Sequence, residues 1–391
     1  MATVHVINGR QKKLFEGHPW VYRNEIEKVE GDTQIGDIVD VVDFRERFVG
    51  RGFINPLSLI TVRLLTHKNE EITDDLVIQR VKNAVAYRRY FRRNDTDCER
   101  AIFGEADHIP GVIADKFGDV IVLQTLAAGM QKYEKIIADT LISEYLPKTL
   151  ILRNDEPIRE KEGLELFNKI YYGDEIHKTI INENGIKLHV DVLHGQKTGY
   201  FLDQKANHRR IAPYVKGKRV LDCFTYTGAF AMNAAANGAK EIFAVDISQD
   251  SIKTAEENAR LNGFDNITFE TANAFDILRE MGKAKRMFDV IILDPPAFTK
   301  SKAALAGAIR GYKEINLSAM RLLPAGGILA THSCSYHMPE SVFVETVLSA
   351  AYDLKRQVRI IDLSRQDHDH PILGGYPESY YLKSLWLEML D

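Results

Sequence analysis

Residues 219–246, RVLDCFTYTGAFAMNAAANGAKEIFAVD, constrain the fold more than any other stretch. One apolar run ends in Asp222, a short loop carries Gly228, a helical segment stops near Gly238, and a second apolar run ends in Asp246. Two strand-like runs bracketing a helix of this length predict a parallel sheet with crossover helices. In such sheets ligands bind beyond the carboxyl ends of the strands, where the loop meets the helix N-terminus. Glycine at 228 lets the backbone approach a ligand closely. Asp246, at the tip of the second strand, is where a carboxylate would grip the two hydroxyls of a ribose. A dinucleotide site wants G-x-G-x-x-G, whereas this loop holds only Gly228, with the bulky Phe224 and Tyr226 where small residues are needed. A pyrophosphate fits poorly there; S-adenosylmethionine, which carries no phosphate, fits well. A structural strand–turn–helix with incidental carboxylates is the alternative for this stretch taken alone.

At 391 residues the chain is long for one core, so two or three domains are expected. With 45% hydrophobic and 27% charged residues it has a soluble globular composition. No apolar run approaches the roughly 20 residues of a membrane span, and the first residues lack a signal-peptide layout. The expectation is a cytoplasmic protein with no membrane partner. Cys98, Cys223 and Cys334 are odd in number and far apart, which supports neither a disulfide frame nor a zinc site. A net charge of −4 argues against a surface coated with phosphate contacts, yet leaves room for a local basic face.

Residues 1–70 are rich in short β-like runs punctuated by glycine, the pattern of a small β-barrel-like module. Residues 71–190 read as a central α+β domain. It opens on a helix capped by Thr73, with Asp74 and Asp75 in its first turn. Helical spacing puts Val77, Val81, Ala84, Val85 and Phe91 on one face and Lys82, Arg89 and Arg93 on the other. That cationic stripe either meets an RNA backbone or is simply solvated. Gly118-Asp119 and Asn184-Gly185 read as hairpin turns.

Residues 191–391 continue the α/β rhythm. The preceding stretch HGQKTGYFLDQ crowds Lys197, Tyr200, Phe201 and Asp203 ahead of a helix. The rings suit an adenosine or its thioether arm, and Lys197 or Asp203 suits the amino-acid end; a linker with Asp203 as a helix cap is the bland reading. Ser248 caps a helix that Gly263 stops. Asn273 follows the next strand, placed to bond an adenine edge. The strand FDVIIL delivers Asp294, and Pro295-Pro296 forbids both helix and ladder beyond it. An intervening Ala297 breaks the match to the amino-methylating motif (D/N)PP(Y/F/W). The strand GGILATHSCS brings Cys334 to the same edge between polar neighbours, where a thiol suits nucleophilic attack more than packing. The cluster Asp367, His368, Asp369, His370 resembles metal ligands, but its spacing converges on an ion only through a tight bend, so no metal is expected. The last strand, YYLKSLWLEML, is expected to enter the sheet antiparallel near its edge.

Taken together, GQKTGYFLDQ, VLDCFTYTGAFA, AVD, DPPAF and SCS resemble the class I S-adenosylmethionine-dependent RNA methyltransferases that carry an N-terminal PUA domain, most specifically between residues 194 and 337. The likeness is to bacterial large-subunit (23S) ribosomal RNA 5-methylcytosine enzymes. It implies a Rossmann-like α/β domain, a PUA-like RNA-binding module, S-adenosylmethionine as cofactor, ribosomal RNA as partner, and a homodimer as the assembly to consider. The cofactor residues would be Lys197, Tyr200, Phe201, Asp222, Phe224, Thr227, Gly228, Asp246, Ile247, Asn273, Ala274 and Asp294. Asp222 and Gly228 would line the methionine end, Asp246 the ribose and Asn273 the adenine, where the family usually has Asp. Asp294 and Cys334 would face the target base as the catalytic pair. Nitrogen methylation of an RNA base, such as guanine N7, with a structural Cys334 stays open, as does a small-molecule or protein substrate.

Overall fold

A computed structural model describes residues 1–299 and 301–391. They form two compact units, one of Met1–Thr179, Val190–Leu202 and His368–Ser379, the other of Ile180–His189, Asp203–Asp367 and Tyr380–Asp391.

The first unit holds two sheets. Six strands between Ala2 and Thr66 form one, with Val4, Val6, Val21, Val39, Val41, Val62 and Leu64 in its core. Five strands between Cys98 and Gly173 form the other, and the helices Asp74–Phe91 and Glu134–Tyr145 share its core. The Thr73 hydroxyl accepts from the Leu76 amide, so the expected cap is present. The helix differs from the spacing in two ways: it ends at Phe91, so Arg93 lies beyond it, and Arg88 is buried with Val77, Val81, Ala84 and Val85, while Phe91 is 37% exposed and stacks on His368 at 4.5 Å. Arg88 tolerates burial because its guanidinium is saturated. It grips both Asp107 carboxylate oxygens at 2.5 and 2.7 Å and donates to the carbonyls of Arg100 and Asp369.

The second unit is a three-layer α/β domain. Its strands are β1 (Arg219–Cys223), β2 (Glu241–Asp246), β3 (Ile267–Thr271), β4 (Val290–Leu293), β5 (Ile328–Ser333), β6 (Val358–Arg365) and β7 (Lys383–Met389), in spatial order β3-β2-β1-β4-β5-β7-β6. Strands β1 to β5 run parallel, and β7 lies antiparallel between β5 and β6. Helices α1 (Ala229–Ala236), α2 (Gln249–Asn262), α3 (Ala274–Lys283), α4 (Leu305–Met320) and α5 (Glu340–Asp353) supply the crossovers. Strand alternation feeds both layers. Leu221, Phe243, Val245, Ile291 and Leu293 pack under α3, α4 and α5, while Val220, Ile242, Ile292, Ala330 and Trp386 pack with Phe230, Ala231 and Ala234 of α1. Asn184 (φ 54°) and Gly185 (φ 81°) turn the hairpin of strands Lys178–Glu183 and Ile186–Asp191. Its second strand is tied to α2 through the Asn258 and Asn262 side chains.

The parallel register fixes what faces the carboxyl edge. Cys223 sits level with Val245 and Leu293, and Leu293 with Thr331. The loops leaving β1, β2, β4 and β5 therefore start at one edge, which is where Asp246, Asp294 and Cys334 emerge.

Replacing Arg88 by methionine strands Asp107 in a buried setting. Urea unfolding should show a loss of ~3–5 kcal/mol; a loss below about 1 kcal/mol would contradict the buried-pair account.

Candidate active site

The loop after β1 is anchored by two carboxylates. Asp222 is fully buried; its Oδ2 accepts from the Thr225 hydroxyl at 2.5 Å and from the Ala231 amide of α1 at 3.1 Å. Its Oδ1 has no hydrogen-bond partner among the described residues. Burial pushes this carboxyl up to about 7, the nearby Asp294 charge adding to the rise and the Thr225 hydroxyl opposing it. Asp246 accepts from the Tyr226 amide at 3.0 Å and from the Ser248 amide at 2.9 Å. The Thr225 amide donates to the Val245 carbonyl. Between these ties the backbone alternates through the left-handed region at Phe224 (φ 65°), Tyr226 (φ 51°) and Gly228 (φ 90°). Two bulky residues there cost on the order of 1–3 kcal/mol each, held by the hydrogen bonds just named. A Cβ on Gly228 would lie 3.0 Å from the Met232 methyl and 3.2 Å from the Ala255 Cβ. Thr227 is buried, and its hydroxyl has no partner among the described residues.

Further along the edge, Ile247 is 71% exposed immediately after Asp246. Asn273 is the N-cap of α3, its Oδ1 accepting from the Phe275 amide at 2.9 Å, with Ala274 buried behind it. That capping role explains the residue locally, and it leaves the side-chain amide N–H groups uncommitted by the cap. Asp294 is half-buried, and its Oδ1 accepts from the Gln204 amide at 2.9 Å. Cys334 is half-buried too, its sulfur 3.9 Å from the Pro295 carbonyl oxygen. The thiol thus lies beside the Asp294-Pro295-Pro296 segment. Cys98 and Cys223 are buried, and burial raises the Cys223 thiol far above its ordinary value.

Asp222, Phe224, Thr227, Gly228, Asp246, Ile247, Asn273, Ala274, Asp294 and Cys334 all belong to the second unit; Lys197, Tyr200 and Phe201 belong to the first. There the Lys197 ammonium lies 4.5 Å from the Phe201 ring centroid. Asp203 does not cap the following helix, whose N-cap position is Gln204; its carboxylate accepts from the Tyr381 hydroxyl at 2.6 Å instead. The basic stripe is largely neutralised: Arg89 pairs with Glu144 at 3.0 Å and Arg93 with Asp95 at 2.6 Å, which leaves Lys82 exposed and outside any ion pair among the described residues. In the histidine-rich cluster Asp369 bonds His370 and the Arg100 amide, and no group of three potential metal ligands occurs among the described residues.

Two residues beside the site lie outside the candidate set. Gln204 holds Asp294, and Lys383 of β7, 3% exposed, donates to the carbonyl of Ser335, next to Cys334, at 2.8 Å. The signal for the second was a lysine inside the apolar strand LKSLWLEM.

Residues 167–360 match the S-adenosylmethionine-dependent methyltransferase family, and residues 4–67 match the PUA-like domain. The chain is 40% identical over 390 residues to the Ribosomal RNA large subunit methyltransferase I of Aeromonas hydrophila, covering 98% of each. It is 42% identical over 383 residues to the protein of the same name from Shewanella denitrificans, covering 96% of each. Among solved structures, a SAM-dependent methyltransferase from Streptococcus mutans superposes with a TM-score of 0.85 at 21% identity, over 99% of this chain and 100% of that one. A methyltransferase solved with SAH gives a TM-score of 0.86, also at 21% identity and the same coverage. These two likenesses concern the fold.

Gly228→Ala places a Cβ in the left-handed region against Met232 and Ala255. Thermal or urea unfolding should show a loss of roughly 1–2 kcal/mol; unchanged stability would contradict the tight turn.

Proposed function

The chain belongs to the S-adenosylmethionine-dependent methyltransferase family that includes the Ribosomal RNA large subunit methyltransferase I proteins, and from that premise we propose that it methylates carbon 5 of a cytosine in large-subunit (23S) ribosomal RNA. The observation that carries this reading is the meeting of Cys334 with the Asp294-Pro295-Pro296 segment at the carboxyl edge, the sulfur 3.9 Å from Pro295.

The loop fits the cofactor. Asp222 Oδ1 and the Thr227 hydroxyl are buried acceptors without partners among the described residues, Gly228 leaves the space a Cβ would fill, and Ile247 offers an exposed apolar face beside Asp246. Asp222, Thr227, Gly228 and Phe224 would hold the methionine end, Asp246 the ribose, and Ile247, Asn273 and Ala274 the adenine; Lys197, Tyr200 and Phe201 are assigned to the cofactor from the sequence resemblance alone. When bound, S-adenosylmethionine supplies an electrophilic sulfonium methyl.

Carbon 5 of cytosine is too weak a nucleophile to take that methyl unaided. Addition of the Cys334 thiolate to carbon 6 forms a carbon–sulfur bond and leaves an enamine-like ring whose carbon 5 is nucleophilic. Asp294 bonds the N3/amino edge as charge develops there. Carbon 5 would take the sulfonium methyl, that methyl–sulfur bond breaking to leave a neutral thioether, and loss of the carbon-5 proton would then re-form the ring double bond and expel the Cys334 thiolate. The base must be single-stranded or flipped out. Residues 1–70 act as an RNA-binding module, 71–190 as a central domain with Lys82, Arg89 and Arg93 toward the RNA, and 191–391 as the methyltransferase domain; the protein works in the cytoplasm, and no described helix is long and apolar enough to cross a membrane.

Labelled methyl transfer to protein-free large-subunit ribosomal RNA, followed by nucleoside analysis, tests the reading. Label should appear in 5-methylcytidine and fall at least about a hundredfold in Cys334→Ala. Label in a methylated guanine, indifferent to that change, would install nitrogen methylation instead.

Asp222 gives a second test. A carboxyl raised from 3.8 to about 7 keeps its proton more tightly when folded, so its ionisation costs stability progressively as pH rises between those values. A cationic ligand favours the ionised form. Cofactor affinity measured by calorimetry should therefore rise with pH through about 7, and Asp222→Asn should bind more weakly with a flat profile. A wild-type profile as flat as that variant's would refute the assignment.

A further inference from the structure

Lys383 is a lysine in a central strand, 3% exposed, with two neutral partners. Its ammonium donates to the Ser335 carbonyl at 2.8 Å and the Tyr381 carbonyl at 3.0 Å, and no carboxylate pairs with it among the described residues. A buried cation without a counter-ion is costly, and carbonyl dipoles offset only part of that cost. The register explains its position. Lys383 faces Ser333, the last residue of β5, so its side chain reaches the turn that carries Cys334.

The charged and titratable groups around it are few. From the start of α5, Glu340 is engaged by the Tyr380 hydroxyl, and the Tyr380 ring centroid lies 5.6 Å from the ammonium. From β6, Arg365 is the register neighbour. From the turn after β5, Cys334 is within electrostatic reach. Burial pushes Lys383 down to about 8, against the opposing pull of Cys334 and Glu340. On the thiol's side stand Asp294, after β4, and Tyr312 of α4, whose phenol burial pushes up to about 12 and so keeps neutral. Asp294 disfavours a second anion beside it, so a thiolate at Cys334 needs a nearby cation.

We propose that the Lys383 ammonium stabilises Cys334 as its thiolate in the free enzyme. The thiol proton passes to water, the S–H bond is the only one broken, and no redox partner is involved. Lys383 acts through Cys334 and is a positioning residue. Its purpose rests on Cys334 being the nucleophile; its test does not.

The test is the pH dependence of iodoacetamide alkylation of Cys334, followed by mass spectrometry on the full chain without RNA or cofactor. Cys98 and Cys223 are 2% and 0% exposed, and Cys334→Ser supplies the blank. The wild-type inflection should lie below the ordinary thiol value of about 8.5. Lys383→Met should raise it by about one unit, slowing alkylation near neutral pH ~10-fold, and Lys383→Arg should restore most of the shift. Equal inflections in wild type and Lys383→Met would overturn the proposal. So would a wild-type inflection at or above about 8.5, which requires no variant to fold. Should Cys334→Ala prove active while the wild-type thiol is depressed and Lys383-dependent, the nucleophile reading fails and this one stands; the converse pattern separates them equally well.

Discussion

The loop from Phe224 to Gly228 is held between two strand-end carboxylates, and the site depends on that clamp. Asp222 pulls the loop inward through Thr225 and the start of α1, while Asp246 fixes the Tyr226 amide. Without these bonds Phe224 and Tyr226 have no reason to occupy left-handed backbone. The clamp uses only part of the carboxylates' capacity. Asp222 keeps one buried oxygen without a hydrogen-bond partner among the described residues, which is a standing cost to the folded chain.

The rest of the edge follows from parallel pairing. Because β1, β4 and β5 are neighbours in register, the residues that leave their ends come together: the clamped loop, the rigid Asp294-Pro295-Pro296 segment and Cys334. β7 then enters antiparallel beside β5, which carries Lys383 to the turn that holds Cys334. The loop of residues 224–228, the Asp294 carboxylate, a thiol and a cation thereby share one sheet edge, built from segments far apart in sequence.

Much of this was legible locally. Apolar runs ending in aspartate marked β1, β2 and β4; Thr73 and Ser248 marked helix starts, and both side chains cap as their positions suggest. The turn residues Asn184 and Gly185 take the positive φ their types favour. What local pattern could not supply was set by distant partners. Arg88 is buried because Asp107 and the Asp369 carbonyl saturate it, the second from 281 residues away. Gln204 meets Asp294 across 90 residues, and Lys383 meets Ser335 across 48. The positive φ of Phe224 and Tyr226 was hidden for a related reason: tertiary hydrogen bonds overrode their backbone preference. The cationic stripe looked free because its acidic partners Glu144 and Asp95 lie outside the helix Asp74–Phe91, as Arg93 itself does.

The central claim is that Cys334 bonds covalently to the target base. Replacing the substrate's cytidines with 5-fluorocytidine tests it most directly, since fluorine at carbon 5 cannot depart as a proton does and the adduct is trapped. The account predicts a denaturation-stable protein–RNA complex, formed only with S-adenosylmethionine present, whose crosslinked peptide contains Cys334. Unmodified RNA methylated at carbon 5 by an enzyme that yields no such complex, or a crosslink at another residue, would contradict it.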